Sequence, residues 1–207
     1  MLNLSYFTGG IAETNGWVFE VAGGVLLVDA PEGVADWLEQ RQLRPTALLL
    51  THQHFDHVMD AAAVKARFGC PIYAFAEYSK GLTLENLFGA ATGTSLSVPA
   101  FEVDQVLGTA EQLEIAGVTF EVKHVPGHSP DSICFYLPHE GLLFGGDVLF
   151  SGSIGRTDFP GGSSRQLLEG IGTKILTLPD NTRVFPGHGP ETSIGEERSD
   201  NPYLQGE

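Results

Sequence analysis

Positive charge is scarce in this chain: 11 Lys plus Arg stand against 26 Asp plus Glu in 207 residues, a net charge of −15. Nucleic-acid binding relies on clustered cations that neutralise phosphates. No basic run exists here, so DNA, RNA and anionic membrane surfaces are not expected partners. The acidity reads as a solubility surface. Cysteine is scarcer still. Cys70 and Cys134 lie apart in apolar segments, which reads as buried free thiols and not as a disulfide framework. No apolar run approaches the ~18–20 residues of a membrane helix. The opening MLNLSYFTGG lacks a basic n-region and a long apolar core, so the expected compartment is the cytoplasm. A Gly-x-Ser-x-Gly nucleophile motif is also absent, which argues against a serine hydrolase.

A hydrophobic fraction of 42% and a charged fraction of 18% are those of an ordinary globular protein. The length suits one domain over residues 1–207 with a sizeable core. LNLSYF, GWVFEVAGG and GVLLVDA read as strands punctuated by Gly. PEGVADWLEQRQL reads as a helix after Pro31, TALLLT as a buried strand, and DHVMDAAAVKARFG as one helix stopped by Gly69. Residues 76–100 are ambiguous: LENLFGAATG fits a short helix and TGTSLSVPA a loop. FEVDQV, EQLEIAG, VTFEVKHV, SICFYLP and GLLFGGD form a second set of strands, the last two joined as a hairpin through PHEG. SSRQLLEGIGTKILTL reads as a helix opened by Ser163 or Ser164, and TRVFP as a final strand. Strands, helix, strands, helix suggest two packed sheets covered by helices.

The stretch LLLTHQHFDHVMD carries the chemistry. An apolar run ends at Thr51, and His52, His54, Asp56 and His57 then fall within six positions. HVPGHS (124–129) and VFPGHG (184–189) each follow a strand and each throw a His, His128 or His188, beyond the sheet edge. Asp147 likewise ends the apolar strand LLFGGD. All are strand ends, where a rigid sheet can aim side chains at one point. Imidazole and carboxylate without thiolate suit zinc, iron or manganese. Five His and two Asp are too many for one tetrahedral zinc and right for two ions ~3.5–4 Å apart. Of the other histidines, His124 reads as a core or supporting residue and His139 as a solvated turn residue. Cys134 and Tyr136 read as core. Phe55 and Phe150 read as pocket walls.

These motifs resemble the metallo-β-lactamase superfamily. Its signature, Thr-His-x-His-x-Asp-His after an apolar strand, is matched by Thr51 to His57, and His128, Asp147 and His188 follow in order. The resemblance covers most of the chain. It implies an α/β (α+β) fold, the four-layer αββα sandwich, with metals at the sheet edges between two similar halves. It implies that His52, His54 and His128 hold one metal, that Asp56, His57 and His188 hold a second, and that Asp147 bridges. It gives Asp29, which by itself reads as a turn or cap residue, a supporting role beneath the metal loop. Arg156 and Asp158 read either as a loop salt bridge or as lining the substrate mouth, the second favoured for Arg156. A bridging Asp is similar to the glyoxalase II branch; the lactamases proper usually differ there, so antibiotic hydrolysis is not the expected activity.

GDVLFSGSIGRTDFPGG and FPGHGPETSIGEERSDNPYL resemble short bacterial glyoxalase II-like hydrolases. The implied activity is thioester hydrolysis of a small hydroxyacyl-thiol by a hydroxide bridging two divalent ions, zinc first. Asp56 would orient the nucleophile. GRTDF is shared with the persulfide dioxygenases, where the positions of His52, His128 and Asp147 alone would bind one iron; Pro-Gly-His at the last ligand, in place of their usual Pro-Ala-His, favours the hydrolase. Glutathione recognition is not implied, because about 19 residues follow His188, with only Arg198 basic among them. A lactonase or other esterase on the same site, and a non-enzymatic metal-stabilised module, are the remaining alternatives.

Overall fold

The computed structural model describes residues 3–93 and 95–205. Leu2, read as part of the first strand, and Thr94, read as part of a loop, lie outside them. The first sheet runs in chain order: β1 (Leu4–Gly9), β2 (Thr14–Val21), β3 (Gly24–Val28), β4 (Pro45–Leu49), β5 (Ile72–Ala74) and β6 (Gln105–Val106). β1 to β3 pair antiparallel and β3 to β6 parallel. The second sheet contains β7 (Gln112–Ile115), β8 (Val118–His124), β9 (Ile133–Leu137) and β10 (Leu142–Gly146). A small hairpin, β11 (Leu149–Phe150) with β12 (Ser153–Ile154), leaves β10. β13 (Arg183–Pro186) then returns parallel to β10, and β14 (Thr192–Ser193) pairs with β13 at the edge.

Side-chain alternation explains why the sheets stack. Leu26, Val28, Ala47 and Leu49 enter the layer between the sheets, where Phe120, Phe135, Phe144 and Phe185 from the second sheet meet them. Leu27, Leu48 and Leu50 point the other way, under α1 (Val34–Gln40), α2 (Phe55–Val58) and α3 (Ala61–Phe68). Ile133, Phe135 and Leu137 of β9 face the middle, while Cys134 and Tyr136 face an outer core under α6 (Ser164–Gly170) and its π-helical continuation Ile171–Ile175. Strands buried on both faces read as unbroken apolar runs. Three cores between four layers make the αββα sandwich; truncating Leu49 or Phe135 to Ala costs about 2–5 kcal/mol. No helix among the described residues is long and apolar enough to cross a membrane.

Some local expectations are corrected. DHVMDAAAVKARFG is two helices, α2 and α3, broken at Met59–Asp60. The Asp60 carboxylate accepts from the N–H groups of Gly33 and Ala35 at 3.0 Å each, and Asp60 N donates to Ala30 O. These bonds tie the break to the loop before α1 and turn the chain. FEVDQV is a strand only at Gln105–Val106, because Phe101 and Val103 leave the sheet plane to pack into the outer core. The ambiguous segment holds α4 (Lys80–Thr83) and α5 (Glu85–Thr92). α6 opens at Ser163, whose hydroxyl accepts from Gln166 N. β5, β14 and α7 (Ile194–Asp200) carry no pattern long enough to read.

Candidate metal centre

β4 ends at Leu49, and the chain turns through Thr51–His57 into α2. Asp29, just after β3, organises this turn. Its φ is +60°, a left-handed conformation that Asp tolerates better than most residues. Its carboxylate accepts from Thr51 N, Thr51 Oγ1 and, through Oδ2, His57 Nδ1, each at 2.8 Å. A proton held on His57 Nδ1 turns Nε2 inwards, where it would offer its lone pair to a cation. His128 is set the same way, by Nδ1 against Arg156 O at 2.8 Å. Gln53, between two donors, points away. It pins the 76–79 loop through Ala76 O, Glu77 O and Ser79 N, while its own N–H is held by Asp131.

The two Pro-Gly-His turns use Gly differently. Gly127 has φ +135°, and a Cβ there would lie 2.5 Å from Leu167 N, so α6 approaches only a glycine. At Gly187 the crowding comes from the site: a Cβ would lie 2.2 Å from Asp147 Oδ1 and 2.5 Å from His57 Cε1. The first sheet grips this second turn. Trp17 Nε1 donates to Pro186 O at 2.9 Å, and Asn15 Nδ2 to Pro186 O and Gly189 O.

The structure brings all seven donors to one place. Ligand-type atoms lie within 4.8 Å of one another in three sets: His52, His54 and His128; His52, His57 and Asp147; Asp56, His57 and His188. Asp147 joins the sets. Its Oδ1 is 3.3 Å from His57 Nε2, and its Oδ2 is 3.5 Å from His128 Nε2 and 3.3 Å from His188 Nε2. Thr14 Oγ1 donates to Asp56 Oδ2 at 2.7 Å. His124 stands apart, stacked on Phe75 and bonded through Nε2 to Pro130 O, and His139 is exposed.

The electrostatics divide the donors. Burial, with His57, His54 and His128 close by, holds His52 well below the ordinary imidazole value. Burial and His128 bring His54 down to about 3. Burial presses the same way on His57 and His188, but carboxylates overcome it. Asp56, Asp147 and Asp29 raise His57 well above its usual value, and Asp147 with Asp56 raises His188 to about 10. Against the upward push of burial, His57 and His188 hold Asp147 far below the carboxylate range and Asp56 at about 2. His52 Nε2 is buried without a hydrogen-bond partner, and His57 Nε2 and Asp147 Oδ1, likewise buried, face only each other at 3.3 Å without hydrogen-bond geometry. Each such atom costs ~1–3 kcal/mol. Converging lone pairs of this kind fit divalent cations, and the His and Asp donors are of the right chemistry.

Phe55, Phe150 and Arg156 line a pocket of about 370 Å³ that opens onto Asp56, Asp147 and His188. A larger groove of about 820 Å³ lies between the β7–β8 hairpin and the segment after α6, and none of the seven donors lines it. Size does not mark the site here; the donors do. Thr14, Asn15, Trp17, Gln53 and Asp131 support the centre but have no signature in the sequence. Thr14 is 42 residues from the carboxylate it touches, and only the pairing of β2 through β3 to β4 relates them.

Comparison with known proteins agrees with this geometry. A family model described as the metallo-beta-lactamase superfamily matches residues 9–188. The hydroxyacylglutathione hydrolase GloC of Haemophilus influenzae is 42% identical over 180 residues, 84% of each chain. Among solved structures, the BLEG-1 B3 metallo-beta-lactamase is 40% identical with a TM-score of 0.88, covering 98% of this chain and 100% of that one. TTHA1623 in a di-iron-bound form is 36% identical with a TM-score of 0.83, covering 97% and 100%.

Proposed function

The chain belongs to the metallo-beta-lactamase superfamily, and from that premise we propose that it is a cytoplasmic hydrolase of small thioesters, holding two divalent ions, zinc first. The observation that carries this reading is Asp147, whose two oxygens face His57 on one side and His128 and His188 on the other. His52, His54 and His128 would hold one ion, Asp56, His57 and His188 the other, and Asp147 both. The relative GloC, named for hydroxyacylglutathione hydrolysis, supports the hydroxyacyl-thioester class.

Bound divalent ions supply Lewis acidity, drawing the pKa of water towards neutrality and withdrawing charge from a carbonyl. The chain's own residues do the rest. Asp56 is held ionised and turned by Thr14, so one oxygen is committed to that hydroxyl. It can orient a water at the site. Phe55, Phe150 and Phe159 line the approach and exclude bulk water. Water's oxygen adds to the acyl carbon as the carbon–sulfur bond breaks; the thiolate leaves with the electron pair, and water's two protons are released to solvent or retained by the thiol. A thiolate leaves without a general acid, and no residue at the mouth needs that role.

The test is metal counted per chain together with turnover. About two ions and zinc-supported thioester hydrolysis, both reduced in His57→Ala, are expected. One iron per chain with oxygen consumption on a glutathione persulfide would replace this reading with a dioxygenase. Metal-dependent melting without turnover of any ester, thioester or β-lactam would make the centre structural.

A further inference from the structure

An aromatic wall stands on the His54–His128 side of the centre. Phe55 from the start of α2 packs on Phe88 of α5 with ring centroids 4.6 Å apart, and Phe88 on Phe159 at 5.2 Å. Phe159 in turn meets the rings of His54 at 5.7 Å and His128 at 6.4 Å, both near edge-on. Across the pocket, Phe150 stands 6.2 Å from His188. Phe88, Phe150 and Phe159 are half-buried. Phe159 belongs to none of the three cores, so its ring serves the pocket and not the packing of the sandwich.

Away from the seven donors, the same pocket offers little to an anion. Among the described residues lining it, Arg156 is the sole Lys or Arg. Its Nε and Nη2 donate to the two carboxylate oxygens of Asp158 at 2.7 Å each, and its guanidinium lies 4.1 Å from the centroid of Phe159. A guanidinium paired in this bidentate way and laid on a ring edges the wall, facing Asp158 in a solvent-exposed pair. The net charge of −15 also repels a polyanionic carrier at long range.

We propose that Phe55, Phe88 and Phe159 form an acyl subsite, so that the preferred thioesters carry an apolar acyl group of aryl or branched-alkyl size on a thiol that is not gripped through negative charge. This rests on the thioester reading above and deepens it. A pocket of about 370 Å³ takes a small ligand of this kind, and an acyl group as small as lactoyl leaves the wall uncovered.

The test uses the zinc-loaded protein with lactoyl and mandeloyl thioesters, each on N-acetylcysteamine, which is neutral, and on glutathione. Mandelate and lactate binding is measured in parallel by calorimetry. The mandeloyl thioester is expected to exceed the lactoyl one in kcat/KM by roughly 10–100-fold, with the carrier changing either value only about threefold. Mandelate is expected to bind about tenfold more tightly than lactate. In Phe159→Ala both ratios fall towards one; Phe159→Leu, which keeps an apolar side chain, retains part of them. Equal turnover of the two acyl groups, ratios unmoved in Phe159→Ala, or a glutathione preference above tenfold that Arg156→Ala abolishes would overturn the subsite while leaving thioester hydrolysis in place. Selective mandelate binding, lost in Phe159→Ala, with no thioester turned over would uphold the subsite and overturn the thioester reading.

Discussion

Two donor sets sit side by side and are built on opposite principles. His52, His54 and His128 are three buried imidazoles without a carboxylate of their own set. Burial keeps His52 and His54 neutral, with the lone pairs ready. Asp56, His57 and His188 mix charge, and in the absence of a cation the carboxylates draw protons onto His57 and His188. On the two-ion proposal, the first set would take a cation through desolvated lone pairs and the second through charge. Asp147, grouped with His52 and His57, stands between them, its oxygens 3.3–3.5 Å from His57, His128 and His188. Two like ions, held as proposed, would meet unlike sets and differ in sensitivity.

The sharpest way to break the comparison is to disturb what the sets share. Gly187→Ala would press a methyl group against Asp147 Oδ1 and His57 Cε1. Thioester turnover should fall ~100-fold or more, with metal per chain reduced; two ions and more than half the activity would show that the sets do not depend on the placement of Asp147.

Acid should then separate them. A cation must displace protons from His57 and His188, whose pKa values are raised, but not from His54, which is neutral above pH of about 3. Affinity at the second set should weaken up to ~10-fold per pH unit for each proton displaced as pH falls from 8 to 6. Dialysis against a buffered chelator should leave one ion at the low end. Simultaneous loss of both would erase the distinction.

Asp29→Asn tests orientation. It removes the acceptor that holds the His57 proton on Nδ1. An effect of ~10–100-fold on metal affinity is expected, falling mainly on one of two ions in a competition titration. An equal loss at both would assign Asp29 to the loop through Thr51 and not to His57. The smallest effect is expected from Thr14→Val, about tenfold or less on the second ion, restored by Thr14→Ser. No change in affinity would mean that Asp56 is placed without the hydroxyl.

How much was legible depended on distance along the chain. THQHFDH concentrates four donors in one turn and can be read at sight. His128, Asp147 and His188 are solitary, yet Pro-Gly and Gly-Gly at strand ends mark them. The break between α2 and α3 was not legible, because it is made by Asp60 reaching the N–H groups of Gly33 and Ala35. Both readings of Arg156, the pair with Asp158 and a place at the substrate mouth, hold together; its position on the ring of Phe159 was not legible.

The sequence by itself determined which atoms the centre can offer, imidazole and carboxylate without thiolate. Its unbroken apolar strands also determined that two sheets would stack with their ends together. Only the tertiary structure decided how the donors share out, which ring nitrogen faces inwards, and which imidazoles are neutral and which charged. Those outcomes depend on distances of a few ångströms between residues far apart in the chain, and on how deeply each is removed from water.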